Sequence, residues 1–362
     1  MSNEFYDKLP PMSSQKTVIV GLSGGVDSSV TAALCLEQGY RVIGLHMMNW
    51  DQNDPHCPQA QDTADARRVA SQLNIPFHVC DFSAEYWQDV FQHFLSEYQA
   101  GRTPNPDILC NQMIKFETFK QHAMGMGADL IATGHYAQLD HSTSKPQLKK
   151  AIDPLKDQSY FLAGVTSQQF EHCIFPLGEL SKDNVRAQAK ALGLSTASKK
   201  DSTGICFIGE RKFNAFIRQH LLARPGPIIT VDGDTLGQHK GLIFHTIGQR
   251  KGLGIGGAGD AWYVVRKQNH DNTLIVAQGH DHQSLYHHQL RYCHPVWRQQ
   301  PNKNQPLTAK IRYRSQEQEC TLDQSACIVT FKEPQRAITP GQYIVFYQGD
   351  LCLGCGIIDE AL

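Results

Sequence analysis

Residues 16–22 (KTVIVGL) read as a short apolar strand and residues 28–38 carry a helical pattern, with Ser23-Gly24-Gly25-Val26-Asp27 between them. A strand that turns through two glycines straight into a helix packs that helix back on its own sheet, as one half of a parallel crossover unit. The unit recurs along the first half of the chain. Residues 41–47 read as a second strand, followed by a polar loop with Pro55, Cys57 and Pro58 and a helix over 62–73. Residues 76–82 read as a third strand, after which Tyr86, Val90, Phe91, Phe94, Leu95 and Tyr98 repeat at helical spacing. A loop over 101–110, a helix over 113–124 and a strand over 129–133 complete the pattern, the last followed by Gly134-His135-Tyr136. The expected fold class is α/β, a doubly wound parallel sheet.

The character changes after residue 207. Residues 228–231, 242–246, 262–266 and 274–278 are short β-type runs, and further ones fall at 310–314, 328–331, 343–347 and 353–358. The spacing predicts two small β-rich domains, the last barrel-like. The division expected is 1–207, 208–285 and 286–362. The histidine-rich stretch 279–288 lacks a ligand-like partner set and reads as a solvated loop.

At 362 residues, 41% hydrophobic and 19% charged, the chain is a globular protein of two or three domains and excludes disordered, collagenous and repeat classes. No apolar run reaches the roughly 18 residues of a membrane helix. The first twenty residues lack the marks of a secretion or import signal. Eleven cysteines, an odd count, argue for a reducing compartment, so the expected location is cytoplasmic. With 34 basic and 35 acidic side chains no global field advertises nucleic acid. Residues 199–224 nevertheless carry six basic and two acidic side chains, which leaves room for a local basic face.

The string Gly21-Leu22-Ser23-Gly24-Gly25-Val26-Asp27-Ser28-Ser29 has the makings of a phosphate cradle. Glycines let an anion approach the backbone, the helix start presents free amides, and the serines add hydroxyls. Asp27 is placed to hold a magnesium ion. No lysine follows the glycines, so the Walker pattern fails. A Gly-rich turn with a serine cap would account for two glycines and one serine, but not for the whole string. Cys110 precedes the expected helix over 113–124, with Lys115 a little more than a turn on, a setting that favours a thiolate. Cys206 lies between glycines with Lys199, Lys200, Arg211 and Lys212 around it. Taken alone, either cysteine also reads as a buried thiol, as Cys35 and Cys80 do; Cys57 stays open. Cys352 and Cys355 form a C-x-x-C without a second pair, and read as chance.

The loop resembles the SGGxDS loop of the N-type ATP pyrophosphatases, which adenylylate an acceptor with release of pyrophosphate. With GRTPNPDILCN, ATGHYA, KDQSYFL, KKDSTGICFIGERKF, HTIGQRKGLGIGG and TPGQ in one order, the chain resembles the bacterial tRNA-specific 2-thiouridylase family over about residues 16–358. The resemblance implies ATP on Gly21 through Ser28 (Leu22, Ser23, Gly24, Gly25, Val26 and Asp27 between them), with Met47 and Gly134 framing the nucleotide. It implies Asn105, Pro106 and Asp107 at the target base, Asp107 with a catalytic part, Cys110 as nucleophile and Cys206 as persulfide carrier. It implies tRNA contacts from Lys156, Asp157, Gln158, Arg312 and Tyr313, with His135 and Gln342 near the flipped uridine. ATP and Mg2+ are the implied cofactors, and tRNA plus a persulfide-relay protein or cysteine desulfurase the implied partners, with no membrane. Cys355 stands where the family commonly has glycine.

Two rivals fit parts of this pattern. An amidotransferase or ligase acting on a small metabolite would share the loop, and a nucleotide-gated tRNA-binding or sulfur-storage protein would share the cysteines without turnover.

Overall fold

The computed structural model describes residues 15–50, 59–201 and 213–362. Cys57, Cys206 and the basic Arg211 and Lys212 lie outside the described residues. Strands β1 (Thr17–Gly21) and β2 (Arg41–Met48) carry buried β-branched and aliphatic residues at the centre of the sheet, with β4 (Leu130–Ala132) beside β1 and the half-exposed β3 (Phe77–Asp81) at its edge. A hairpin follows, β5 (Gln138–Asp140) and β6 (Gln147–Lys149), and then the two-residue β7 (Cys173–Ile174). The parallel sheet runs β3-β2-β1-β4-β7, so successive connections leave β1 in opposite directions. The crevice beyond the carboxyl ends of β1 and β4 is the topological switch point, where open α/β sheets bind ligands.

A second sheet contains β8 (Gly226–Thr230), β9 (Thr235–His239), β10 (Trp262–Gln268) and β11 (Thr273–Gln278), in the order β10-β11-β8-β9. The expected strand over 242–246 is instead a short 3-10 turn, Leu242–Phe244, entered through Gly241 at φ +138°. The remaining strands are β12 (Tyr286–Trp297), β13 (Thr308–Lys310), β14 (Gln318–Asp323), β15 (Ile328–Arg336), β16 (Tyr343–Gln348) and β17 (Leu351–Ala361). They pair β12-β15-β14-β13-β16-β17, and β12 also pairs β17, which closes a six-stranded antiparallel barrel. The strand expected over 310–314 ends at Lys310, and Arg312 and Tyr313 lie in the turn that follows. The histidine-rich stretch is partly structured, because His287 and His288 open β12.

The modules are welded. The β5–β6 hairpin, which precedes the barrel by more than a hundred residues, hydrogen-bonds to β17 and extends the barrel sheet. Tyr343, Val345, Tyr347, Cys352 and Cys355 of the barrel belong to one apolar cluster with Phe94, Ile108, Phe116, Phe119 and Tyr160 of the first half. At roughly 1.5–3 kcal/mol for each large apolar side chain buried, this shared core holds the barrel in place. It also disposes of the C-x-x-C motif. Cys352 and Cys355 are buried, burial pushes both thiols up, and Arg298 donates to the Cys352 carbonyl oxygen at 3.0 Å.

Candidate functional site

The glycine–serine loop leaves β1 at the switch point and enters helix α1 (Val26–Glu37) with Gly25 as N-cap, two residues earlier than the pattern predicts. Gly24 stands at φ +78°, and a Cβ there would lie 2.3 Å from the carbonyl oxygen of Asp62 on helix α2 (Gln59–Gln72). Glycine is therefore required twice over, by conformation and by space. Inside the loop the hydroxyls pair with one another: Ser23 Oγ and Ser28 Oγ lie 3.1 Å apart, and Ser28 and Ser29 donate to the Gly25 carbonyl at 3.1 and 2.7 Å. The loop is thus preformed. His46, on β2 just before Met47, contacts the Leu22 carbonyl through Nδ1 at 2.7 Å. Burial holds this imidazole below its usual range, and its Nε2 is buried without a partner among the described residues.

Two lysines hold this loop: Lys199, which the sequence suggested only as part of the basic surroundings of Cys206, and Lys182, which no motif singled out. Lys199 donates to the Gly24 carbonyl at 2.9 Å and pairs with Asp62 and Asp65 at 2.8 and 2.6 Å. Lys182 is 8% exposed, and its ammonium lies 2.8 Å from both carboxylate oxygens of Asp27 and 2.8 Å from Asp201 Oδ1. Tyr136 donates its hydroxyl to Asp27 Oδ1 at 2.7 Å. Both oxygens of Asp27 are thus engaged by the protein's own donors. The carboxylate does not fit the expected magnesium site, and among the described residues no cluster of three or more His, Cys, Asp or Glu side chains could hold a metal ion.

Asp201 accepts from Lys156 at 2.7 Å, Lys182 at 2.8 Å and Arg186 at 2.8 Å. Burial alone would raise its pKa, but the bonds from Lys156 and Lys182 outweigh it and hold the carboxyl down at about 2, against an ordinary 3.8. A carboxylate depressed in the folded state stabilises fully above its unfolded pKa and loses that contribution as pH falls through the folded one. Asp201→Asn is therefore expected to flatten the fall in stability between about pH 4 and about pH 2, measured by urea unfolding beside the unaltered protein. Parallel curves in that window would refute the pairing.

The second wall of the crevice is the helix that carries Cys110. It begins at Pro106 and not after Cys110, because Asn105 caps it, its Oδ1 accepting from the amides of Asp107 and Ile108 at 3.2 and 3.4 Å, and Pro106 fills the first position. The Asn-Pro pair was the available signal for that start. Cys110 is therefore inside the helix, 4% exposed, where a segment with i→i+5 hydrogen bonds, Cys110–Thr118, takes over. Its amide is bonded to the Pro106 and Asp107 carbonyls, and the free amides of the helix start lie a turn earlier. At about 4.4 residues per turn in such a segment, Lys115 returns near the face of Cys110. Its ammonium lies 3.5 Å from His135 Nε2, while His135 Nδ1 contacts Thr133 Oγ1 at 2.7 Å. Burial, with Lys115 beside it, holds His135 well below its usual range, so the ring is neutral near pH 7. Burial raises the Asp107 carboxyl, and Lys115 opposes that shift. Gly134, one residue before His135, presses on the other wall, where a Cβ would come within 2.9 Å of Asp27 C and Ser28 N. Gly134 and His135 thus span from the loop to the Cys110 helix.

The other expected residues lie around this crevice with mostly inward bonds. Asp157 is 6% exposed and accepts from Ala151 N at 3.0 Å and from Ser159 Oγ at 2.8 Å. Gln158 makes two bonds to the backbone of Tyr136, at 2.7 and 2.9 Å. Of that trio only Lys156 reaches outward, to Asp201. Gln342 donates to the carbonyls of Thr103 and Pro104 at 2.8 and 3.3 Å, so the barrel props the loop that leads to Asn105. Asn269, in the turn that follows β10, donates to Ala100 O at 2.8 Å, ahead of the same loop. Arg312 Nη2 donates to Ile247 O, Ala337 O and Thr339 Oγ1 at 3.1, 2.7 and 2.9 Å, and the Tyr313 ring packs 4.3 Å from that of Phe161. Cys80, expected to be a core thiol, is only partly buried, with its sulfur 2.9 Å from His122 Nε2.

A parallel sheet with this glycine–serine loop at its switch point, followed by a small β sheet and a closed β-barrel, defines an α/β protein of the loop-at-switch-point class with two β-rich appendages. Family models agree module by module: tRNA methyl transferase HUP domain over residues 16–210, tRNA methyl transferase PRC-barrel domain over 214–278, and aminomethyltransferase beta-barrel domain over 283–358. The tRNA-specific 2-thiouridylase MnmA of Pseudomonas savastanoi pv. phaseolicola is 52% identical, over 98% of this chain and 97% of the relative. Those of Pseudomonas syringae pv. syringae and Stutzerimonas stutzeri are each 53% identical, over 98% and 97%, and over 95% and 94%, of the two chains. The chain belongs to the tRNA-specific 2-thiouridylase family.

Proposed function

We propose that this protein replaces the C2 oxygen of the wobble uridine of tRNA by sulfur, using ATP to activate that oxygen and a cysteine persulfide to supply the sulfur. The observation that carries the reading is the span Gly134–His135, which seats the phosphate loop on one side and the Cys110 helix on the other. A phosphate site and a thiol then serve one bound base.

The C2 oxygen of uracil is a poor leaving group. Attack of that oxygen on the α-phosphorus of ATP expels pyrophosphate and leaves an O2-adenylyl uridine, from which AMP departs readily. Loop amides, with the ammonium of Lys182 beside Asp27, answer the charge that develops on the departing pyrophosphate. The uridine must first leave the anticodon stack, at a cost of a few kcal/mol. Asn105, Pro106 and Asp107, with neutral His135 behind them, form the pocket that receives it. The outer sulfur of a Cys206 persulfide then reaches C2 by one of two routes. It attacks directly, and Cys110 cleaves the resulting mixed disulfide; or Cys110 attacks first and frees sulfide, which attacks C2. Either way AMP leaves and a Cys110–Cys206 disulfide remains, to be reduced by an external thiol. A persulfide-relay protein or a cysteine desulfurase recharges Cys206.

Incubating the protein with tRNA, ATP and a persulfide source, followed by mass analysis of the nucleosides, tests the reading. Expected are 2-thiouridine and one AMP for each. The names of the family models mention methyl transfer, and a methylated nucleoside would be distinguished by its mass. AMP release stimulated by a small metabolite, and not by tRNA, would overturn the proposal.

A further inference from the structure

The segment 245–257 (HTIGQRKGLGIGG) takes no part in the chemistry above. Its inner face is anchored: Leu253 is buried in the central module's core and Ile255 packs against it. Gln249 locks the turn, accepting from Thr246 N and donating to Lys251 O, both at 2.9 Å. The outer face is bare. Gly248, Gly252, Gly254 and Gly257 have φ of +84°, +80°, +72° and +128°, and a methyl added at Gly254, Gly256 or Gly257 would meet nothing within 4 Å. Arg250 and Lys251 are exposed, and neither pairs with a carboxylate among the described residues. The nearest acid in sequence, Asp260, is exposed at the far end of the loop.

The loop is also held in a definite place. Gly248 N donates to Val264 O at 2.7 Å, and Ile247 O accepts from Arg312, which fastens the loop's base to the barrel. The next residue, Tyr313, packs on Phe161 beside the turn at 156–158. The loop therefore stands at one edge of the face that runs through Tyr313 to Lys156. Exposed glycine backbone at 252–257 and two cations without a carboxylate partner among the described residues, on a locked turn, suit a polyanion's backbone, which such groups position without reading sequence.

We propose that the outer face of residues 248–257 grips the sugar–phosphate backbone of the tRNA, away from the base being modified, with Arg312 as the positioning residue at its base. This rests on the tRNA reading above. The test is titration of full-length tRNA at several salt concentrations against the intact protein, the Arg250→Gln/Lys251→Gln double variant and Gly256→Ala. Gly256 has an ordinary φ and open space, so alanine is tolerated there. The double variant is expected to bind about tenfold more weakly, with a salt dependence flatter by about 1.5 to 2. Gly256→Ala is expected to weaken binding severalfold at an unchanged unfolding temperature. If both variants bind with the intact protein's affinity and salt slope, the inference falls and the thiolation reading stands. If the intact protein shows no salt-dependent tRNA binding, the thiolation reading falls as well.

Discussion

Cys110→Ala is expected to lower 2-thiouridine formation by at least about a thousandfold, because in the proposed reaction its thiol closes the disulfide with Cys206 that sulfur delivery requires. Removing one buried sulfur atom leaves a small cavity, for which about 1 kcal/mol of stability is a fair cost. The variant should fold, bind tRNA and still release pyrophosphate in the presence of ATP and tRNA. Cys110→Ser should be equally inactive in sulfur transfer, since an alcohol is not ionised near neutral pH. Nucleoside mass analysis and a pyrophosphate assay on the same sample separate the two half-reactions. Thiolation retained in the alanine variant would remove Cys110 from the chemistry. Loss of both half-reactions would point to damage in the helix that Asn105 caps.

Lys182→Met is the second large effect. Its ammonium neutralises two partly buried carboxylates at once, Asp27 and Asp201, and methionine fills the volume without the charge. Removing one partner of a fully buried pair costs about 3–5 kcal/mol. Asp27 and Asp201 keep about a third of their side-chain surface, so about 1–3 kcal/mol is expected from urea unfolding. The larger consequence falls on the nucleotide. With Asp27 uncompensated beside the loop, the triphosphate meets a net negative site, and at least a tenfold rise in the KM for ATP is expected while tRNA affinity holds. An unchanged KM would mean that this ammonium has no part in phosphate binding.

Four strands of the parallel sheet were legible because four apolar runs alternate with helical patterns and a glycine–serine turn marks the ligand edge; the fifth, β7, has two residues and leaves no period to read. The loop and the cysteine at 110 were legible for the same reason, as local strings. What escaped was non-local. Lys182 reaches Asp27 across 155 positions of sequence, and no spacing rule connects them. The β5–β6 hairpin offers only three residues per strand, too few for a period to show, and its stability comes from β17. Arg312 and Tyr313 read as strand because basic and aromatic residues flank an aliphatic one, yet tertiary contacts with Ile247, Ala337 and Phe161 set them in a turn. The helix start at Pro106 was signalled by Asn-Pro and overlooked in favour of the cysteine.

Gln342 and Gly341 bear on residues 103 and 104, and this makes the loop between β15 and β16 a splint for the segment that leads to Cys110, the proposed nucleophile. Severing the chain within the barrel would take away this prop and open the core that the barrel shares with the first half. The C-terminal end of this polypeptide thus governs aim, as well as whatever it adds to grip.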